Sequence, residues 1–181
     1  FVVSYLNEVI EDESYDVLIE AYDSNGNKII SEKKLQLNEY AEKCVPKICE
    51  LDADTMVIVW ESNDDVYGQI LDKDGDQLTE VFRVNKTIYE DQSDPDIASL
   101  GDGKFVVAWE TKSLDSSKKA VAYKVLNYTD NELNGVDNPD RQANVYTVKN
   151  QKDPSLAVFS NGNFIIVWES KDSRYNGYDV A

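Results

Sequence analysis

Three glutamates recur at equivalent places in this sequence and are its clearest candidates for chemistry. Glu61, Glu110 and Glu169 each follow the tryptophan of one apolar heptapeptide, which reads MVIVWES, FVVAWET and FIIVWES in its three copies. Carboxylate oxygens are the ligands that calcium prefers. If the copies are arranged around one axis, the three carboxylates form a collar for a cation; otherwise they are solvated or backbone-bonded strand ends.

A second acidic stretch, DKDGDQLTE, places Asp72, Asp74 and Asp76 at alternate positions, as at the start of a calcium loop. An EF-hand loop requires glycine at its sixth position and glutamate at its twelfth, whereas here glycine is fourth and Arg83 is twelfth. The same slot elsewhere in the chain reads DSNGNK, which is typical of a hairpin turn. A calcium site and a simple turn both remain open.

Two cysteines, Cys44 and Cys49, are candidates for a small disulfide loop. Five extended residues span roughly 16 Å, which exceeds bridging distance, so a disulfide requires an intervening turn. Cys49 also aligns with Ala98 and Ala157 of the other copies, which favours a small buried side chain. The sequence therefore allows either a bridge or a buried thiol.

Two sequons, NKT at Asn85 and NYT at Asn127, are acceptors for N-linked glycan in a host that glycosylates. Each lies at a predicted strand end or turn, where a glycan has room. We therefore expect a glycoprotein.

Composition excludes several classes of function. Thirty-five acidic and 18 basic residues give a formal net charge of −17, which disfavours nucleic acid and anionic lipid as partners. No stretch approaches the roughly 18 apolar residues of a membrane-spanning helix. Histidine is absent, which removes the commonest general base and every Ser-His-Asp or Cys-His mechanism. We therefore expect that the chain is not an enzyme.

The heptapeptides belong to a longer repeat. A proline precedes each opening apolar residue by ten positions and a tryptophan follows that residue by four. A looser copy, FVVSYLN, opens the chain with tyrosine in place of tryptophan. The landmarks are Pro46, Met56 and Trp60; Pro95, Phe105 and Trp109; and Pro154, Phe164 and Trp168. With the closing asparagines at Asn38, Asn85 and Asn150, the repeat divides one domain, residues 1–181, into units of approximately 1–38, 39–85, 86–150 and 151–181.

Each unit is predicted to contain up to four antiparallel strands. The heptapeptide is the second strand, and because both its faces are apolar it requires protein on both sides. The later strands are joined by Asp-Gly or Asn-Gly turns, and no segment has a helical apolar stripe. The chain is thus predicted to be all-β, with fourteen strands forming β-propeller blades; a tandem β-sandwich is the alternative. The tryptophans are interpreted as buried anchors rather than as carbohydrate-stacking platforms.

The phrase DPDIASLGDGKFVVAWE, with VYGQILDKDGDQLTEVFRVN, resembles a module of large secreted and surface proteins, the adhesin-like and repeats-in-toxin-type proteins. The resemblance covers essentially the whole chain and implies propeller blades. It indicates little about activity, because a fold hosts many functions.

Together these features predict an extracellular or cell-surface structural or adhesive module, without enzymatic activity and without a certain cofactor, calcium being the candidate. The alternative is a binding domain that recognises a glycan or protein through the loops after each tryptophan, residues 63–65, 112–119 and 171–176. A sialidase-like glycoside hydrolase is a third reading, which the different repeat positions of the three arginines disfavour: Arg83, Arg141 and Arg174.

The outer units, as predicted, lack an opening and a closing strand respectively. Exposed strand edges recruit other chains, and unlike edges join head to tail. We therefore expect association with copies of this chain, as a filament or a ring, within a larger chain or assembly.

Overall fold

A computed structural model describes residues 2–9, 14–35, 45–112, 119–145, 147, 149–171 and 178–180. The described part is all β and contains no helix, hence none that could cross a membrane. Its strands are β1 (Val2–Val9), β2 (Ser14–Tyr22), β3 (Lys28–Lys34), β4 (Lys47–Glu50), β5 (Thr55–Ser62), β6 (Asp65–Asp72), β7 (Phe82–Arg83), β8 (Gln92–Gly101), β9 (Lys104–Thr111), β10 (Ala120–Thr129), β11 (Glu132–Asn134), β12 (Arg141–Gln142), β13 (Gln151–Val158), β14 (Phe164–Lys171) and β15 (Tyr178–Val180).

The strands form four antiparallel sheets, one for each predicted unit. Unit 1 is β1-β2-β3, unit 2 is β4-β5-β6-β7, unit 3 is β11-β10-β9-β8 with β12 also on β10, and unit 4 is β13-β14-β15. The predicted all-β, antiparallel repeat fold is confirmed. Fifteen strands are described instead of fourteen, because two short strands of unit 3, β11 and β12, both pair with β10.

The heptapeptide is the second strand of its sheet, as predicted. Cys49 pairs with Val57, Ala98 with Val106 and Ala157 with Ile165, so the three copies share one register. Consecutive sheets pack face to face, and this packing explains why the heptapeptide is apolar on both sides. One core lies between units 1 and 2 and a larger one between units 2 and 3.

Two of the repeated prolines lie inside strands, not at strand starts. Pro95 is within β8 and Pro154 within β13, each at a bulge where the register shifts. The preceding aspartates, Asp94 and Asp153, have positive φ values of 50° and 52°. A bulge tolerates proline because the ladder is already interrupted there. Only Pro46 precedes its strand.

The closing asparagine of unit 3 is Asn144, not Asn150. Asn85 Oδ1 accepts a hydrogen bond from the backbone N–H of Val66, and Asn144 Oδ1 accepts the same bond from Val121. Asn150 instead accepts from the N–H of Lys171 through its backbone oxygen. The sequence analysis took Asn150 as the equivalent of Asn85, because a further run of residues follows Asn144 and also ends in asparagine.

Candidate functional site

Two of the three repeated glutamates accept a hydrogen bond from the backbone of the following unit. We call each of these contacts a latch. Glu61 ends the apolar part of β5, and its Oε2 accepts a hydrogen bond of 3.1 Å from the backbone N–H of Asp94. Glu110, at the same place in β9, accepts a bond of 2.7 Å from the N–H of Asp153. The bulge before each proline turns this N–H away from its own sheet. The Asp-Pro of one unit and the glutamate of the preceding unit therefore form one structural device.

Three carboxylates meet at the latch between units 3 and 4. One oxygen each of Asp94, Glu110 and Asp153 lies within 4.8 Å of the others, with Glu110 buried and both aspartates exposed. Lys119 contacts Glu110, and Lys152 contacts Asp153 and also Glu169 at 2.9 Å. We call Asp94, Glu110, Asp153, Lys119 and Lys152 the carboxylate edge.

The two lysines are held charged by this edge. Burial lowers the pKa of Lys119, but the hydrogen bond to Glu110 and the charges of the surrounding carboxylates together outweigh burial, so the pKa is raised. The hydrogen bonds to Asp153 and Glu169 raise the pKa of Lys152. The acidic oxygens are therefore partly neutralised by ammonium groups of the same chain, and the edge is a mixed-charge network.

The three repeated glutamates do not come together as one collar in the described residues. Glu110 belongs to the cluster, but Glu61 bonds Asp94 N–H and Glu169 bonds Lys152, and the two other carboxylates come from the Asp-Pro pairs. The Asp-Pro dipeptide, which is present in two of the three copies, could have indicated these two carboxylates from the sequence. Beside the cluster lies a cleft of about 230 Å³, lined by the first strands of three units: Val45, Lys47, Asp94, Pro95, Asp153 and Pro154.

Glutamines fix two of the three tryptophans. Trp109 Nε1 donates to Gln92 Oε1 at 2.9 Å, and Trp168 Nε1 donates to Gln151 Oε1 at 3.0 Å. Trp60 is fully buried and stacks on Tyr67 with ring centroids 6.4 Å apart. Trp109 is also fully buried, whereas Trp168 is only half-buried. These contacts support the anchor interpretation over carbohydrate stacking.

A buried ion pair between units 2 and 3 was not anticipated from the sequence. Lys124 Nζ lies 3.0 Å from Asp140 Oδ1, and both side chains are almost completely buried. Lys124 also donates to the carbonyl oxygen of Val84 at 2.7 Å, which crosses to unit 2. Asp140 accepts from the backbone N–H groups of Lys86 and Thr87. The pair thereby ties the end of unit 2 to unit 3.

Burial and hydrogen bonding act in opposite directions on the pKa values of this pair. It lowers the pKa of Lys124, and Asp140 opposes the shift without reversing it. Burial raises the pKa of Asp140, but the hydrogen bonds from Lys86, Thr87 and Lys124 outweigh it, so this pKa lies below its usual value.

The predicted calcium residues form a hairpin turn. Asp72 Oδ1 accepts the backbone N–H groups of Asp74 and Asp76 at 2.9 and 2.7 Å. Asp76 also pairs with Lys33 of unit 1 at 2.6 Å. In unit 1, Asp23 makes the same two backbone bonds in DSNGNK. The Asp72 carboxylate is thus used by the turn itself. Calcium binding by Asp72, Asp74 and Asp76 stays a prediction.

The two sequons lie in different environments. Asn85 is buried, and its Nδ2 donates to Asp65 and to the carbonyl of Thr87 at 2.8 Å. A glycan on this nitrogen would displace both bonds, so the structure argues against glycosylation of Asn85 in the folded chain. Asn127 is half-buried in β10, where it pairs with Lys104 and Asn134.

The predicted disulfide is not present, because Cys49 is a free thiol; Cys44 lies outside the described residues. Burial raises the pKa of Cys49 to about 12, so the thiol is poorly nucleophilic at neutral pH. This outcome agrees with the alternative of a small buried side chain.

The loops predicted for binding, and the three arginines whose different repeat positions disfavoured a sialidase-like site, lie only partly within the described residues. Residues 63–65 form a tight turn, with positive φ at Asn63 and Asp64, while most of residues 112–119 and 171–176 lie outside the described part. Arg83 and Arg141 lie on β7 and β12, away from the carboxylate edge on the first and second strands. Arg174 lies outside the described residues.

Comparison with known proteins gives a likeness in fold. No family model and no curated protein sequence matches the chain. The crystal structure of the K499G mutant of NanB sialidase from Streptococcus pneumoniae is similar over 90% of this chain, with a TM-score of 0.55 and 15% identity. The crystal structure of a thermostable family-43 glycoside hydrolase covers 91% of the chain and 64% of its own length, at a TM-score of 0.40 and 12% identity.

The chain spans about a quarter of the length of the sialidase structure (25%). At this identity the likeness shows the fold alone, and it agrees with the predicted β-propeller blades. It also corrects one expectation. The sequence analysis inferred that the chain is not an enzyme, but the solved structure that shares its fold is an enzyme, so that inference was wrong as drawn from composition and repeat type.

Proposed function

We propose that the chain is part of an extracellular β-propeller with a structural and adhesive role. The observation that carries the proposal is the latch: the residues that recur between units are used to hold units together. Glu61 binds Asp94 N–H of the next unit, and Glu110 binds Asp153 N–H of the next unit, whereas Gln92 binds Trp109 within unit 3. The residues that the units share are therefore used for structure. If the protein binds a ligand, we expect the residues that differ between units to contact it.

The residues that differ follow the repeated glutamates in the sequence. The turn after β5 is short, residues 63–65, whereas the segments after β9 and β14 are longer in sequence. Loops that vary in length on a constant scaffold are the usual carriers of binding specificity. This arrangement supports adhesion to a glycan or protein through these loops.

Binding of the purified chain to arrays of immobilised glycans and extracellular-matrix proteins tests the proposal. We expect a ligand whose binding is lost when residues 113–118 are replaced by a Gly/Ser linker of equal length. The matched control replaces Asp130 and Asn131, the turn between β10 and β11, with Asn-Gly and should keep binding. Absence of any ligand, or equal loss in both variants, would contradict the adhesive role.

A second candidate, glycoside hydrolysis, is favoured by one specific observation. The carboxylate oxygens of Asp94, Glu110 and Asp153 lie within 4.8 Å of one another. Retaining glycosidases hold their two carboxyl groups about 5 Å apart. A solved structure with a similar fold is described as a sialidase.

Release of the fluorophore from a panel of fluorogenic glycosides, sialosides included, tests this candidate. Hydrolysis that is lost in Asp94→Asn, with unfolding unchanged, would support it. Asp94 is the better choice than Glu110 because its carboxylate is exposed. Hydrolysis unaffected by Asp94→Asn and Asp153→Asn would assign the activity elsewhere.

A further inference from the structure

Unit 4 has an apolar face that its counterparts in units 2 and 3 do not expose. The second and fourth apolar side chains of the heptapeptide are fully buried in those units: Val57, Val59, Val106 and Ala108. Their equivalents in unit 4, Ile165 and Val167, are 44% and 41% exposed. Ala157 and Ser155 pair with them on β13 and are exposed too. We call Ser155, Ala157, Ile165 and Val167 the outward face of unit 4.

Unit 1 has the opposite face partly uncovered: Val3 is exposed on it, whereas Leu18 is buried. Val3 and Tyr5 are equivalent to Ile58 and Trp60, which pack on unit 1 in the core between units 1 and 2. In unit 1 itself, Val3 is 41% exposed. Leu18, Glu20 and Tyr22 lie on the same face, because Val3 pairs with Glu20 and Tyr5 with Leu18. We call Val3, Tyr5, Leu18, Glu20 and Tyr22 the inward face of unit 1.

The polar groups of this inward face are satisfied within unit 1. Tyr5 donates to Glu32 at 2.8 Å, Tyr22 donates to Glu20, and Lys28 pairs with Glu20 at 2.6 Å. A face whose charges are already paired can be covered at a smaller desolvation cost than one with isolated charges.

Outward and inward faces of this type already meet inside the chain. Val57 and Val59 of unit 2 pack with Phe105, Val107 and Trp109 of unit 3 in one core. Tyr123 of unit 3 meets Phe164 of unit 4 edge to face, with centroids 5.8 Å apart. In the described residues no extensive strand contact joins unit 4 to unit 1 of the same chain. The internal junctions therefore define what covers an outward face: the inward face of another unit.

We propose that the outward face of unit 4 docks on the inward face of unit 1 of a second copy of this chain. The contact continues the internal unit-to-unit packing, and it joins sheet faces, not the edge strands considered in the sequence analysis. Two copies that each offer both faces close into a ring of about eight units, within the range of known propellers. The proposal concerns assembly and stands whether or not the loops bind a ligand.

Sedimentation velocity of the chain from about 1 to about 200 μM tests the contact. We expect dimers or longer species that strengthen with salt, because each copy carries a formal charge of −17. Val167→Lys and Val3→Lys should each raise the dissociation constant by about tenfold or more. Ile88→Lys, at an exposed loop residue between units 2 and 3, should leave it unchanged.

A mixing experiment distinguishes the geometry. A Val167→Lys copy keeps its unit 1 face and a Val3→Lys copy keeps its unit 4 face, so an equimolar mixture should recover one intact contact and form a heterodimer. Self-association lost in Val167→Lys but neither lost in Val3→Lys nor recovered by mixing would mean contact between two unit 4 faces and would overturn the proposal. A chain that stays monomeric at every concentration and salt would also overturn it.

Discussion

Units 3 and 4 carry nearly the same heptapeptide, FVVAWET and FIIVWES, yet bury it to different extents. Every residue from Phe105 to Trp109 is fully buried, because units 2 and 4 cover both faces of unit 3. In unit 4 the same strand is covered on one face, so Ile165 on the other face is exposed; Trp168 shares the covered face with Phe164 and is half-buried. The contribution of a repeated residue to the free energy of unfolding therefore depends on the units that cover it, and not on its place in the motif.

Removal of the tryptophans should give the largest contrast. Trp109→Ala is expected to lower the free energy of unfolding by about 3–5 kcal/mol, because it leaves a cavity in a fully buried core and removes the hydrogen bond to Gln92 Oε1. Trp168→Ala should cost about 1–2 kcal/mol, because its indole is already partly exposed. Urea unfolding followed by circular dichroism measures both. Equal losses would show that burial does not set the weight of the motif.

The buried pair of unit 3 should give the next largest effect. Lys124→Met is expected to cost about 3 kcal/mol or more, because Asp140 is left buried without its cation. The exposed pair Lys73–Asp74 is the control, and Lys73→Met should leave the free energy of unfolding nearly unchanged. Faster hydrogen exchange at the amides of Lys86 and Thr87, which Asp140 holds, would locate the damage at the junction.

Acid should weaken the same junction. The folded chain holds the pKa of Asp140 below its usual 3.8, so its carboxylate contributes stability that is present above that pH and is lost as pH falls through the folded pKa. The urea midpoint of the chain should therefore fall as the pH drops below about 4, and fall less steeply in Asp140→Asn. Parallel acid profiles for the two proteins would contradict this assignment.

The repeated glutamates of units 3 and 4 should differ less in their contribution to stability. Glu110→Gln should cost about 1.5–3 kcal/mol, because the buried carboxylate holds Asp153 N–H and the ammonium of Lys119. Glu169→Gln should cost at most about 1 kcal/mol, because its side chain is 43% exposed and bonds Lys152 near solvent. Thermal unfolding of the two variants beside the parent chain checks the order, and a larger loss for Glu169→Gln would reverse the comparison.

The turns of units 1 and 2 give the smallest contrast. Gly26 and Gly75 both have positive φ, so alanine at either should cost about 1 kcal/mol. At Gly75 a Cβ would also lie 2.7 Å from Ile19 Cδ1 of unit 1, whereas at Gly26 it meets open space. Gly75→Ala should therefore be the more damaging in thermal unfolding. Equal melting temperatures would mean that Ile19 moves aside without cost.

Much of the fold could be predicted from local pattern. An apolar run on both faces, bounded by a proline and an Asp-Gly turn, has few solutions other than a strand covered on both sides. The register of Cys49, Ala98 and Ala157 followed from alignment alone. The candidate site was less accessible, because Asp94 and Asp153 reach Glu110 only through bulges whose positive φ leaves no trace in composition.

The sequence by itself determined the β-strands, the turns, the number of units and the tryptophan anchors, because each depends on residues close together in the chain. The tertiary structure decided what depends on neighbouring units. It placed Lys124 beside Asp140, made Asn144 the partner of Val121 N–H, and left Val167 exposed where Val59 is buried. Burial and charge pairing arise from surfaces that meet across tens of residues, and local pattern does not specify which surfaces meet.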